Sequence, residues 1–98
     1  MTHPPRITEL VVSASSAADQ RTGLMAWLRF RLYDQIVIDG IALRRSRDDR
    51  LILSWPRRRD NRGQLHHSVR PADDDARLAL EAAVFEELGI KLEGQLEP

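Results

Sequence analysis

GLMAWLRFRLYDQIVIDGIALRRSRDDRLILSWPRRRDNR, residues 23–62, reads as three consecutive strands, two turns and a basic loop. Leu24 to Leu32 is the clearest strand. Leu24, Ala26, Leu28, Phe30 and Leu32 fall on one face and are all apolar, while Met25, Trp27, Arg29, Arg31 and Tyr33 fall on the other. A period of two is what a half-buried strand requires. One face belongs to a core, and the other mixes aromatic with cationic groups. Tyr33-Asp34-Gln35 is a turn. Ile36 to Arg45 is the next strand, with Gly40 marking a bulge or a close backbone approach. Ser46 to Arg50 turns the chain again, and Leu51 to Trp55 is a short apolar strand stopped by Pro56. Pro56 to Gly63 carries no apolar side chain except the proline ring and is expected to be a loop.

Outward from this stretch, Arg6 to Val12 alternates, with Ile7, Glu9 and Val11 against Thr8, Leu10 and Val12, and reads as a leading strand. Ser13 to Gly23 is small and polar, the pattern of a loop. Gln64 to Val69 can form a last strand, ended by Pro71. Asp73-Asp74-Asp75 opens a helix, where carboxylates cap free N–H groups and suit the positive helix end. The spacing predicts that this helix runs to about Leu88 and stops at Gly89. Ala76, Leu80, Ala83, Val84 and Leu88 form one apolar stripe, and Leu78, Ala82 and Phe85 form a second on roughly the opposite side.

The expected architecture is α+β: a small antiparallel sheet of about five strands with one C-terminal helix packed on one face. That helix leaves the other sheet face bare, with Trp27 and Tyr33 on it. The 98 residues suffice for a single domain, with a core over about 6–89 and flexible ends at 1–5 and 90–98.

Composition narrows the function. There is no cysteine, so neither a disulfide framework nor a thiolate metal site is available. The N-terminal MTHPPRITEL lacks the pattern of a signal peptide, and the expectation is a cytoplasmic chain with no membrane span. The net charge of zero is a sum of opposites. Arg44, Arg45, Arg47, Arg50, Arg57, Arg58, Arg59 and Arg62 face only Asp48, Asp49 and Asp60, whereas the segment after Arg70 is acidic. Lys91 is the only lysine, and arginine favours bidentate phosphate contacts and stacking on bases.

Catalytic chemistry is not apparent. No cysteine nucleophile or glycine-rich phosphate loop is present. His66 and His67 are adjacent, so on a strand they point to opposite faces. Helix capping accounts for Asp73 to Asp75 more simply than a metal does. The expectation is a non-enzyme with no cofactor, no metal and no small-molecule substrate. Trp27, Arg29, Arg31 and Tyr33 on one sheet face, with Arg57, Arg58, Arg59 and Arg62 in a basic loop, suit nucleic acid: rings stack on bases and cations hold phosphates. The same face, with Leu78 and Phe85 on the second helix stripe, equally suits a dimer or partner interface.

The order of these features resembles the SpoVG family, the bacterial septation and stage V sporulation protein G regulators. Leu51-Ile52-Leu53-Ser54-Trp55-Pro56 matches that family's apolar strand and its proline. Arg58 and Arg59 match its Lys-Arg pair, Gly63 its turn glycine, and Pro71 the proline before its helix. In the helix Arg77, Leu80, Ala83, Val84 and Glu87 fall on matching positions, and the likeness spans roughly Ile7 to Leu88. It implies a small antiparallel sheet with a C-terminal helix, a homodimer, and a regulator that binds DNA or RNA in septation, sporulation or gene expression. It also implies Arg58, Arg59 and Arg77 as phosphate contacts. The chain departs from the family at Arg70, which replaces a histidine, at the acidic Asp73 to Asp75, and at Ala79, which replaces a basic residue. These departures shift the expected contacts toward the loop arginines.

Overall fold

The computed structural model describes the backbone of residues 4–96 and the side chains of residues 4–89. The chain runs β1 (Ile7–Ala14), α1 (Ala17–Arg21), β2 (Leu24–Leu32), β3 (Ile36–Arg45), β4 (Leu51–Ser54), β5 (Arg57–Arg59), β6 (Leu65–His67) and α2 (Asp74–Leu96). Strands β1 to β4 form an antiparallel meander in chain order, and β5 pairs with β6 in a separate two-stranded sheet. The architecture is therefore α+β, a small antiparallel sheet with a C-terminal helix. The strands divide four and two rather than forming one sheet of five.

Strand β2 is central and follows its alternation. Leu24, Ala26, Leu28 and Phe30 are buried, whereas Trp27 and Arg29 are exposed. Leu28 lies opposite Ile41, Phe30 opposite Ile38, and Leu43 of β3 opposite Leu53 of β4. Phe30 meets Trp55 edge-on, with ring centroids 6.5 Å apart and planes at 88°. Helix α2 closes this face with Val84 and Leu88, flanked by the partly buried Leu80, Ala83 and Phe85. Phe85 thus packs on the core, and the second helix stripe is not a separate surface. Leu78 alone of its larger members stands well out, at 57 % exposure.

The register shifts at three places, one of them at the start of β2 between Leu24 and Ala26, and the other two reset the strand faces. In β1, Thr8 pairs with Arg31 but Val11 with Arg29, so three steps of β1 match two of β2, and Glu9 adopts a left-handed φ of 51°. Ile7 and Leu10 both reach the core as a result. Strict alternation puts these two residues on opposite faces; the extra residue at the bulge removes the conflict. In β3 the register slips between the Leu28 and Phe30 partners, and Gly40 has φ 74°. Glycine occupies that conformation without steric penalty.

Three local expectations are corrected. The segment after Ala14 is not wholly a loop: Ser16 caps α1, its Oγ accepting from the Asp19 N–H at 3.1 Å. The turn ends at Gly23, φ 101°, where a Cβ would lie 2.7 Å from the Arg45 carbonyl oxygen. Arg57 to Arg59 is a strand, not a loop. Three arginines give no hydrophobic alternation to read, yet their backbone groups pair with β6. Finally, α2 is capped by Asp73, whose Oδ1 accepts from the Ala76 N–H at 2.8 Å, but it passes through Gly89 to Leu96. An interior glycine costs only about 1 kcal/mol relative to alanine, and strong helix formers flank this one. The expected flexible ends fall partly on residues 1–3, 97 and 98, which lie outside the described residues.

Candidate nucleic-acid interface

The β5–β6 hairpin follows directly from Pro56, which removes a ladder donor and turns the chain away from the edge of the main sheet. Arg57 lies opposite His67, Arg58 opposite His66, and Arg59 opposite Leu65. Because strand side chains alternate, Arg57, Arg59, Leu65 and His67 share one side of the ribbon, and Arg58 and His66 share the other. All six residues are exposed. Ser68 N–H donates to the Pro56 carbonyl at 2.9 Å, which extends the pairing to the ribbon's base.

Asp60 organises the tip. Its Oδ1 accepts from the backbone N–H groups of Arg62 at 2.8 Å and Gln64 at 2.9 Å, and its Oδ2 accepts from His66 Nε2 at 2.6 Å. The His66 hydrogen bond, followed by the one from Gln64, holds the Asp60 carboxyl below its ordinary range. Gly63, φ 79°, completes the turn, and its carbonyl accepts from Arg59 Nη1 at 2.9 Å. The ribbon's only acid is therefore occupied internally. Among the described residues, Arg57, Arg58, Arg59 and Arg62 have no carboxylate partner within salt-bridge distance.

Arg77 sits differently. Its guanidinium lies 3.1 Å from Glu81 Oε1 and 3.7 Å from Asp74 Oδ1. Glu81 also accepts from the Leu53 N–H at 3.4 Å, so one outward donor of the edge strand β4 is covered by the helix. Arg77, Arg57, His67 and Arg70, together with the carboxylates of Asp73 and Asp74, line a groove of about 430 Å³ between the ribbon's base and the start of α2. Arg70 has no carboxylate partner among the described residues, unlike Arg77. It was legible in the sequence only as a substitution before Pro71.

The outer face of the main sheet brings Trp27, Arg29 and Arg31 onto one strand. Arg31 is tied by Glu9 Oε2 at 3.5 Å and by the Asp34 carbonyl at 3.4 Å. Arg29 is exposed and has no carboxylate partner among the described residues. Tyr33 lies past the end of β2 in the turn, with φ 55°, so it does not continue the Trp27–Arg31 row. No protein-family model matches the chain, and no curated protein sequence matches it. Among the described residues, no helix is long and apolar enough to cross a membrane.

Proposed function

We propose that this protein is a non-enzymatic, cytoplasmic regulator of the SpoVG kind that binds DNA or RNA through its β5–β6 ribbon and acts as a homodimer. The observation that carries the reading is the ribbon itself: a two-stranded hairpin whose strand residues are all exposed, with four arginines that lack carboxylate partners among the described residues and an acid consumed in its own turn. A two-stranded ribbon is one of the two protein elements that a duplex major groove admits. Guanidinium groups are suited to bidentate phosphate contacts. The spacing shared with the SpoVG pattern through Arg58, Arg59 and Gly63 supports the regulatory role. Arg57, Arg58, Arg59 and Arg62 carry the binding, Arg29 and Arg31 extend it, and Arg77 contributes least because Glu81 and Asp74 already hold it.

The test is binding of mixed short DNA and RNA across a salt series. Arg58→Ala with Arg59→Ala is expected to weaken binding and to reduce the slope of log affinity against log salt by roughly one for each phosphate that is no longer neutralised. An unchanged slope removes the ribbon from the reading.

A second reading takes the outer sheet face as a protein interface. Val37 at 56 %, Trp27 at 44 % and Ile52 at 42 % exposure favour it. Under it, Val37→Glu gives monomers in sedimentation; a species of unchanged mass removes this face from the dimer.

A further inference from the structure

We infer that Trp27 forms a stacking site for one unpaired base of a single-stranded nucleic acid, in the cleft between the outer sheet face and the ribbon. The inference rests on the nucleic-acid reading above and adds the form of the strand that this part of the surface takes. Trp27 is 44 % exposed although it stands mid-strand. Its cross-strand neighbours explain why: Ser13 of β1 lies opposite it on one side and Ala42 of β3 on the other, with Ser54 of β4 beyond Ala42. Small partners leave a large ring uncovered. Gly40, diagonal to Trp27 on β3, adds no side chain, and a Cβ built there meets nothing within 4 Å. The resulting cleft measures about 370 Å³ and is walled by Arg44 on the sheet and by Arg57 and Leu65 on the ribbon. That size falls within the range of roughly 300–1,000 Å³ typical of small-ligand sites.

Charge selects the occupant. Arg44 and Arg57 have no carboxylate partner among the described residues, and Arg29 lies two residues along the same strand face as Trp27. A second depression borders Trp27 on the Val11 and Ser13 side; there Arg29 is accompanied by Asp39, which makes it the poorer place for a phosphate. A protein surface seated in the cleft would have to bring carboxylates to several cations around one ring. A single strand supplies a flat base and flanking phosphates together. A base held in a duplex cannot present its face to the indole, so the site discriminates by strandedness and not by sequence.

The experiment compares single-stranded RNA, single-stranded DNA and duplex oligonucleotides of the same mixed sequence, on the wild-type chain and on Trp27→Ala and Trp27→Phe. The single strands are expected to quench tryptophan emission and the duplex to leave it nearly unchanged. Trp27→Ala is expected to weaken single-strand binding by about tenfold or more, with an unchanged salt slope and unchanged duplex affinity. Trp27→Phe, which keeps a stacking ring, recovers most of that affinity. Trp27→Ala that weakens both forms equally, or neither, overturns the stacking site and leaves the ribbon reading standing. Absence of binding to all three nucleic acids overturns both. Because Trp27 lies outside the core, Trp27→Ala is expected to retain the wild-type unfolding midpoint, and affinity is compared at matched folded fractions.

Discussion

Strands β2 and β3 pair along nearly their whole length and bury Leu24, Ala26, Leu28, Phe30, Ile38, Ile41 and Leu43, whereas β5 and β6 pair over three residues and bury none. Both are antiparallel hairpins, yet they are held by different forces. The first is fixed by apolar area, non-directional and tolerant of its turn. The second has almost no apolar area, and an isolated two-stranded hairpin is marginal in water. Its order depends on a turn in which Asp60 accepts from the Arg62, Gly63 and Gln64 N–H groups, and on Pro56 and Ser68 at its base. The difference shows where a protein can concentrate like charge. Three consecutive arginines cannot line a core, but they can form a ladder that buries nothing.

The largest effect is expected from Phe30→Ala. Phe30 is fully buried and packs edge-on against Trp55. Removing its ring is expected to destabilise the whole domain by about 3–5 kcal/mol, read as a shift in the urea midpoint. A change below about 1 kcal/mol would break the assignment of the core to this face.

Asp60→Ala is expected to act locally. Amides from Arg57 to His67 exchange faster, while those of β2 and β3 keep their protection and the global midpoint barely moves. The effect has a pH counterpart with a definite sign. The folded state holds the Asp60 carboxyl below its ordinary range, chiefly through His66 and then Gln64. This contribution is fully present above the ordinary carboxylate range and is lost as pH falls through the lowered value. Acidification is thus expected to loosen the ribbon in the wild type, monitored by ribbon amide signals, and Asp60→Ala is expected to remove that step. Simultaneous melting of sheet and ribbon would merge the two regions into one cooperative unit.

The smallest effect is expected from Leu78→Ser. With 57 % of Leu78 exposed, the change is expected to fall within about 0.5 kcal/mol. A larger destabilisation, concentration-dependent in thermal melts, would mean that a second copy covers this part of α2.

How much was legible depended on whether burial left a trace in the sequence. Strand β2 could be read residue by residue because half its side chains are in the core. The bulge at Gly40 announced itself because glycine is rarely useful inside a strand. Ile7 and Leu10 could not be assigned to one face, since Glu9 is an ordinary residue and its left-handed backbone has no sequence mark. The arginine strand was hidden for a related reason: its pairing is purely backbone, and the alternation that betrays strands is an alternation of burial. Gly89 misled in the other direction, because a glycine stop signal is only as strong as the alternative to continuing, and α2 continues. At the candidate site the arginines themselves were legible. The state of their charges was not, because it depends on Asp60 turning inward while Glu81 reaches across to Arg77.

The bulge at Asp39 and Gly40 works as a parity switch: Ile38 and Ile41 are three residues apart, an odd number, yet both are buried. A chain shorter by Gly40 would restore strict alternation and exchange the roles of Ile38 and Val37, turning the first to water and the second inward. At Gly40 a single-residue deletion rewrites the reading frame of half a strand.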